Sequence, residues 1–145
     1  MTDYRWLMYA LISAASASLV AIFGKVGMSG SNGIDSTLST AIRSLIMTAF
    51  LISVLVISGQ GSKVWTVRGW PLFWIAASAV AGAVSWLFYF KAVQIGSVSK
   101  IAPIDKLSMP LAVVLAVVIL NEKYSKMNWL GILLIVIGAL LASLG

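Results

Sequence analysis

The chain has 145 residues, of which 61% are hydrophobic and 10% charged. An ordinary soluble domain is roughly a quarter charged, so a water-soluble fold could not cover this much apolar side chain. The sequence contains no cysteine or histidine, which argues against thiol chemistry, disulfides and most zinc sites. The net charge is +6, but the ten Lys and Arg residues form no basic run, so we expect no nucleic-acid partner. We also expect no metal and no cofactor.

Five apolar segments are long enough to cross a membrane as helices, because about 20 apolar residues span a hydrocarbon core of roughly 30 Å. They are predicted at residues 6–25, 34–57, 69–95, 98–120 and 127–144. Glycine-containing segments at 27–33, 58–62 and 96–97 predict turns between them. The first segment is longer than a signal-peptide core and is expected to be retained. The sequence thus predicts an all-α integral membrane protein, with residues 1–145 forming one five-helix domain.

The loop charges predict an orientation. The side that holds the N-terminus carries more basic residues than the opposite side: Arg5, Lys63, Arg68, Lys123 and Lys126, against Lys25 and Lys100. By the positive-inside rule, this difference favours a cytoplasmic N-terminus. It predicts that the C-terminus lies on the outer side.

Four charged residues lie inside the predicted spans, where an ionisable group is costly and is a functional candidate by default. They are Arg43, Lys91, Asp105 and Lys106. At about 1.5 Å per residue, Arg43, Asp105 and Lys106 lie roughly 10 to 14 Å from the outer ends of their helices. Three cations and one carboxylate at similar depth would leave the cations repelling one another unless a polar cavity or an anionic ligand were present. We therefore predict that these four residues bind substrate or ion.

Each of these residues also has a structural interpretation. Lys91 could extend its amine to the outer interface, and Arg43 could form a buried ion pair with Asp105. Asp105 and Lys106 are about 100° apart around a helix, so one should face the cavity and the other a neighbouring helix. Pro103 and Pro110 are expected to kink the fourth span around Asp105.

The remaining signals are weaker. The aromatic residues at 86, 88, 89 and 90 are expected to face lipid or the core rather than hold a cation. The chain has no nucleophile elbow and no phosphate-binding loop, so it is not expected to be an enzyme.

Several short segments resemble the EamA family of the drug/metabolite transporter superfamily. They are YFKA at 89–92 with Gly96, APIDKLS at 102–108, LNE at 120–122, Gly131 with Gly138, and AIR at 41–43. The resemblance implies a secondary transporter or exporter of small metabolites, built from two inverted five-helix repeats around a central cavity. This chain has one such repeat, which implies a homodimer or a paired half-transporter. Asn121 stands where relatives usually have glycine.

The leading hypothesis is export or exchange of a small polar or amphipathic metabolite by alternating access, with Asp105 as proton or cation site. The expected location is the inner membrane of a bacterial or archaeal cell. An antiparallel dimer needs two insertion orientations, which the loop charges disfavour, so parallel assembly stays open. A membrane subunit that does not transport and a passive channel are the competing functions.

Overall fold

A computed structural model describes residues 4–29 and 33–144, and within these ranges the secondary structure is entirely helical. The helices are α1 (Arg5–Met28), α2 (Ser36–Ile57), a short 3-10 helix (Gly61–Thr66), α3 (Trp70–Ile95), α4 (Val98–Asp105), α5 (Ser108–Ile119) and α6 (Lys126–Leu144). Five segments are long and apolar enough to span a membrane, with α4 and α5 together forming the fourth. The predicted all-α membrane fold is confirmed, and the chain is an integral membrane protein.

The first span is longer than the sequence predicted. It continues three residues past Lys25 to Met28, into the segment expected to be a loop. The glycine at 27 does not end the helix, because a single glycine costs only about 1 kcal/mol in a helix interior. Residues 30–32 of the predicted loop lie outside the described residues.

The fourth span is interrupted directly after Asp105. Lys106 and Leu107 form a turn between α4 and α5. Pro110 has no N–H to donate to the carbonyl of Lys106, four residues earlier, and its ring would clash with that carbonyl. The Lys106 carbonyl instead accepts from the N–H of Met109 at 3.1 Å, in the tighter 3-10 pattern. Pro103 lies inside α4, which continues past it to Asp105.

The turn that ends α5 has a left-handed residue, Asn121. Asn121 has φ 54°, in the left-handed region that glycine adopts freely and asparagine tolerates better than most residues. The N–H of Glu122 then bonds to the carbonyl of Ala116. Asparagine therefore keeps the turn that ends the helix.

The N-terminus of α2 is capped by Asp35. Its carboxylate accepts a hydrogen bond from the backbone N–H of Thr37 at 2.8 Å. That bond satisfies one of the free donors of the first turn. It also lowers the pKa of the Asp35 carboxyl below its ordinary value.

The chain divides into two compact units. One is Phe23–Gln94, and the other combines the segment up to Ile22 with the segment from Ile95 onward. In the first unit the most buried side chains lie where α1 ends, α2 begins and α3 ends: Met28, Ser36, Thr40, Phe90 and Val93. In the second, α4 and α5 pack on α6. Most large apolar side chains of the spans are exposed, as helices surrounded by lipid require.

Candidate substrate-binding residues

Arg43 lies in α2 and stacks on the aromatic face of α3. Its guanidinium carbon is 3.4 Å from the ring centroid of Trp86 and 5.0 Å from that of Phe90. The two rings share a face of α3 because they are four residues apart. The attraction of a cation to such rings reaches about 2 kcal/mol when desolvated. Phe90 lies in the core, as one of the two predicted environments, but the sequence did not predict that Phe90 and Trp86 also pack on the guanidinium of Arg43.

The in-plane donors of Arg43 are not satisfied by this stacking. Its Nη1 atom is buried and has no hydrogen-bond partner among the described residues. A guanidinium carries five N–H donors in its plane, and a ring beneath it accepts none of them. A buried donor without an acceptor costs about 1–3 kcal/mol. Arg43 is thus held in place with unused capacity to bind an acceptor.

A row of hydroxyl groups runs along α2 beside Arg43. Thr40, Ser44 and Thr48 each donate to the carbonyl four residues earlier, at 2.7 to 2.8 Å. Their hydrogens are used within the helix, as is usual for such residues in a helix interior. The hydroxyl oxygens keep lone pairs that can accept a hydrogen bond.

Within the same unit, α2 and α3 enclose a groove of about 350 Å³. Its lining combines two hydroxyl residues, several small or apolar residues and one aromatic ring: Ser44, Met47, Thr48, Leu51, Ala79, Gly82, Ala83 and Trp86. Trp86 both lines this groove and supports Arg43. Arg43 itself does not line the groove, and Trp86 is the side chain that connects the two.

Lys25 and Gln94, which sequence analysis did not propose as site residues, form hydrogen bonds that connect α1, α3 and the start of α2. The Lys25 ammonium donates to the carbonyl of Val93 at 2.6 Å and to that of Gln94 at 3.3 Å. The Gln94 side chain accepts from the N–H of Ser36 and donates to the carbonyl of Ile34. Lys25 thus satisfies carbonyls at the end of α3, where a cation is also favoured by the helix dipole. The sequence feature that could have indicated this contact is a polar residue near the end of each of two apolar helices, Lys25 in α1 and Gln94 in α3.

Asp105 and Lys106 lie in the other unit and form an ion pair. The Lys106 Nζ is 3.4 Å from the Asp105 Oδ2, and the side chains are 64% and 33% exposed respectively. The expectation that these neighbours diverge assumed a continuous helix. Because α4 ends at Asp105, Lys106 is free to fold back onto the carboxylate. An ion pair between Arg43 and Asp105 stays a prediction, because each is described within its own unit.

Lys91 is exposed on α3. Lys91 directly follows Phe90, so its side chain projects about 100° away from the face of α3 that contacts Arg43. The four predicted charged residues are thus an arginine stacked on two rings, an exposed lysine, and an adjacent ion pair at a helix break. Among the described residues, no cluster of acidic side chains could hold a metal ion.

Comparison with known proteins gives two matches. A family model described as the EamA-like transporter family matches residues 4–144. A Sinorhizobium protein named an uncharacterized transporter in the cobO 3′ region is 38% identical over 136 residues, which cover 94% of each chain. No solved structure matches.

Proposed function

The chain belongs to the EamA-like transporter family, and on that premise we propose that it is a secondary transporter that moves a small polar or amphipathic metabolite by alternating access. The observation that carries this proposal is the break between α4 and α5 directly beside Asp105. Discontinuous helices with charged groups at the break are a recurring way to build transporter binding sites.

In this proposal Asp105 exchanges a proton or a cation. The Asp105 carboxylate pairs with the Lys106 ammonium. Loading a proton on Asp105 would therefore free a cation to bind an anionic group of the substrate. Arg43 and Lys91 are proposed as further substrate- or ion-binding residues within their own unit.

The chain is proposed to act as a homodimer or with a paired half-transporter, because the family resemblance implies two five-helix repeats and this chain has one. It is proposed to lie in the inner membrane with its N-terminus in the cytoplasm, as the loop charges favour. Lipid and a small-molecule substrate are its expected partners.

The test is transport by purified protein in liposomes with an imposed proton gradient. A panel of radiolabelled organic acids, amino acids, sugar phosphates and amines is offered, and uptake is measured against concentration. We expect saturable, gradient-dependent uptake of at least one class. Asp105→Asn should remove the dependence on the proton gradient, whereas the control Asp35→Asn, outside the span, should keep it. An unchanged pH profile in Asp105→Asn would reject the role of Asp105.

The competing functions have different outcomes in the same preparation. A subunit that does not transport would give no flux with any member of the panel and would co-purify with one partner. A passive channel would give flux that does not saturate and does not follow the proton gradient. Either result would overturn the proposed transporter.

A further inference from the structure

We propose that Arg43 and the groove beside it bind an amphipathic monocarboxylate. The carboxylate would lie at the guanidinium, and the apolar body would lie in the groove between α2 and α3. This proposal deepens the proposed function, and the ligand is a transported substrate only if that function holds. It rests on three observations within one compact unit.

The first observation is the unsatisfied donor. Arg43 is fixed over Trp86 at 3.4 Å, and its buried Nη1 has no acceptor among the described residues. The residue as a whole is partly exposed, whereas its Nη1 atom is buried. For a carboxylate to accept two N–H groups of the guanidinium, the end of the side chain must rotate so that Nη1 leaves its buried position. Such bidentate pairs are among the strongest hydrogen-bonded contacts in proteins.

The second observation is the chemistry of the groove. Its volume of about 350 Å³ is at the lower end of the range for small-molecule sites, roughly 300–1,000 Å³. The walls are mostly apolar, and Ala79, Gly82 and Ala83 leave space because their side chains are small. A Cβ added to Gly82 would meet no atom within 4 Å. The groove therefore suits a short alkyl or similar apolar group.

The third observation is which charges line the groove. None of its lining residues is acidic, so no carboxylate there could balance an ammonium group on the ligand. The two hydroxyl residues offer neutral acceptors only, since they donate to their own helix. A buried charge without a partner is costly. The groove should therefore favour a monoanion over a zwitterion or a cation with the same apolar body.

Two other occupants are physically reasonable. An anionic lipid would present a phosphate to Arg43, but Arg43 lies seven residues into α2, about 10 Å along the helix, which is deep for a headgroup. A helix of a second copy could fill the groove, but apolar side chains would leave the Nη1 atom without an acceptor. A free monocarboxylate satisfies both the groove and the guanidinium.

The test is equilibrium binding of radiolabelled hexanoate to the full chain in nanodiscs, with no gradient, so that it does not depend on transport. Competitors share the six-carbon body and differ in charge: hexanamide is neutral, hexylammonium is cationic, and 2-aminohexanoate is zwitterionic. Empty nanodiscs correct for partition into lipid. We expect hexanoate to compete at least about tenfold better than each of the other three, since tenfold corresponds to 1.4 kcal/mol.

Two variants assign the binding to the two parts of the site. Arg43→Gln should abolish the preference for hexanoate over hexanamide, whereas the control Arg68→Gln, on an exposed loop arginine, should keep it. Gly82→Leu should fill the groove and weaken hexanoate binding, whereas Gly138→Leu in α6, where an added Cβ also meets no atom, should not. Circular dichroism checks that each variant keeps its helices.

The lipid arm repeats the measurement in nanodiscs of phosphatidylcholine and of phosphatidylglycerol. Equal affinity in both supports a free carboxylate, whereas loss of binding in phosphatidylglycerol shows that a lipid phosphate occupies Arg43. If wild-type protein binds hexanoate no better than hexanamide, or if Arg43→Gln keeps the preference, the site is rejected. Hexanoate binding without flux of any compound would support the site and reject the transporter. Flux without hexanoate binding would support the transporter and reject the site.

Discussion

Phe90 packs directly against the backbone of Gly24, so that α3 and the end of α1 meet at a point where no side chain fits. A Cβ placed on Gly24 would overlap the Cε1 atom of the ring. The ring cannot move aside easily, because Phe90 is only 2% exposed and also contacts Tyr89 and Arg43. Close packing of this kind is the usual way in which membrane helices associate.

We therefore expect Gly24→Ala to destabilise the protein by about 1–3 kcal/mol, the usual cost of overpacking. The matched control is Gly27→Ala in the same helix, where an added Cβ meets no atom within 4 Å. It should be neutral or slightly stabilising, because alanine is the better helix former. Thermal unfolding in detergent measures both, and equal melting temperatures for the two variants would contradict the contact.

The hydrogen bonds of Lys25 give a second prediction. Lys25→Met keeps the length of the side chain but leaves the carbonyls of Val93 and Gln94 without their donor. We expect a loss of about 1–3 kcal/mol, because part-buried carbonyls at a helix end need a partner. Lys100→Met, on an exposed residue early in α4, is the control and should change the melting temperature little. If both variants lower the melting temperature equally, the loss of stability comes from removing a positive charge and not from these hydrogen bonds.

The spans could be predicted from the sequence because length and hydropathy are local properties. All five predicted spans begin and end within three residues of the observed ones, but the fourth is not one continuous helix, because it is broken after Asp105. The proline pattern indicated a disturbance there, but only the backbone bond from Met109 to Lys106 places it after Asp105 rather than at Pro103. The position of a break depends on which carbonyl is left without a donor.

The candidate site was less accessible to sequence reasoning because its contacts join distant segments. Lys25 looked like a loop cation, yet its partners lie 68 and 69 residues away. Arg43 was singled out by its depth, but its stacking on Trp86 depends on the relative rotation of two helices, which hydropathy does not encode. Side chains that reach across a bundle are fixed by packing rather than by pattern.

Asp35 predicts a pH dependence of stability. The N–H of Thr37 bonds to its carboxylate and lowers its pKa from the ordinary value of 3.8, so the folded state favours the charged form. Its contribution to stability is therefore fully present above about pH 3.8 and is lost as the pH falls through the lower folded-state pKa. Asp35→Asn can still cap the helix but does not titrate. The melting temperature of this variant should fall less than that of wild type between neutral and strongly acidic pH, and parallel curves would contradict the assignment.

The orientation of the chain can be tested with single cysteines, since the native sequence has none. Lys63, in the 3-10 helix before α3, and Lys100, in the first turn of α4 after it, flank one span, and each is replaced by cysteine in turn. The loop charges predict that a membrane-impermeant thiol reagent labels position 100 but not position 63 in intact cells. Labelling of both positions to about half would instead show two orientations and would favour an antiparallel homodimer. Labelling at 63 alone would reverse the proposed topology.

Pro110 tests whether the break beside Asp105 matters for transport. Pro110→Ala supplies an N–H that can bond the Lys106 carbonyl and removes the ring that prevents a continuous helix. With α4 and α5 joined, Lys106 would point about 100° away from Asp105, and the ion pair at 3.4 Å would separate. We expect gradient-driven uptake to fall more than about tenfold while the melting temperature stays equal or rises. Pro71→Ala is the control, because Pro71 lies in the first turn of α3, where its missing N–H would be free in any case. If Pro110→Ala transports like wild type, the discontinuity is a packing feature of the fourth span, and the proton role of Asp105 cannot depend on it.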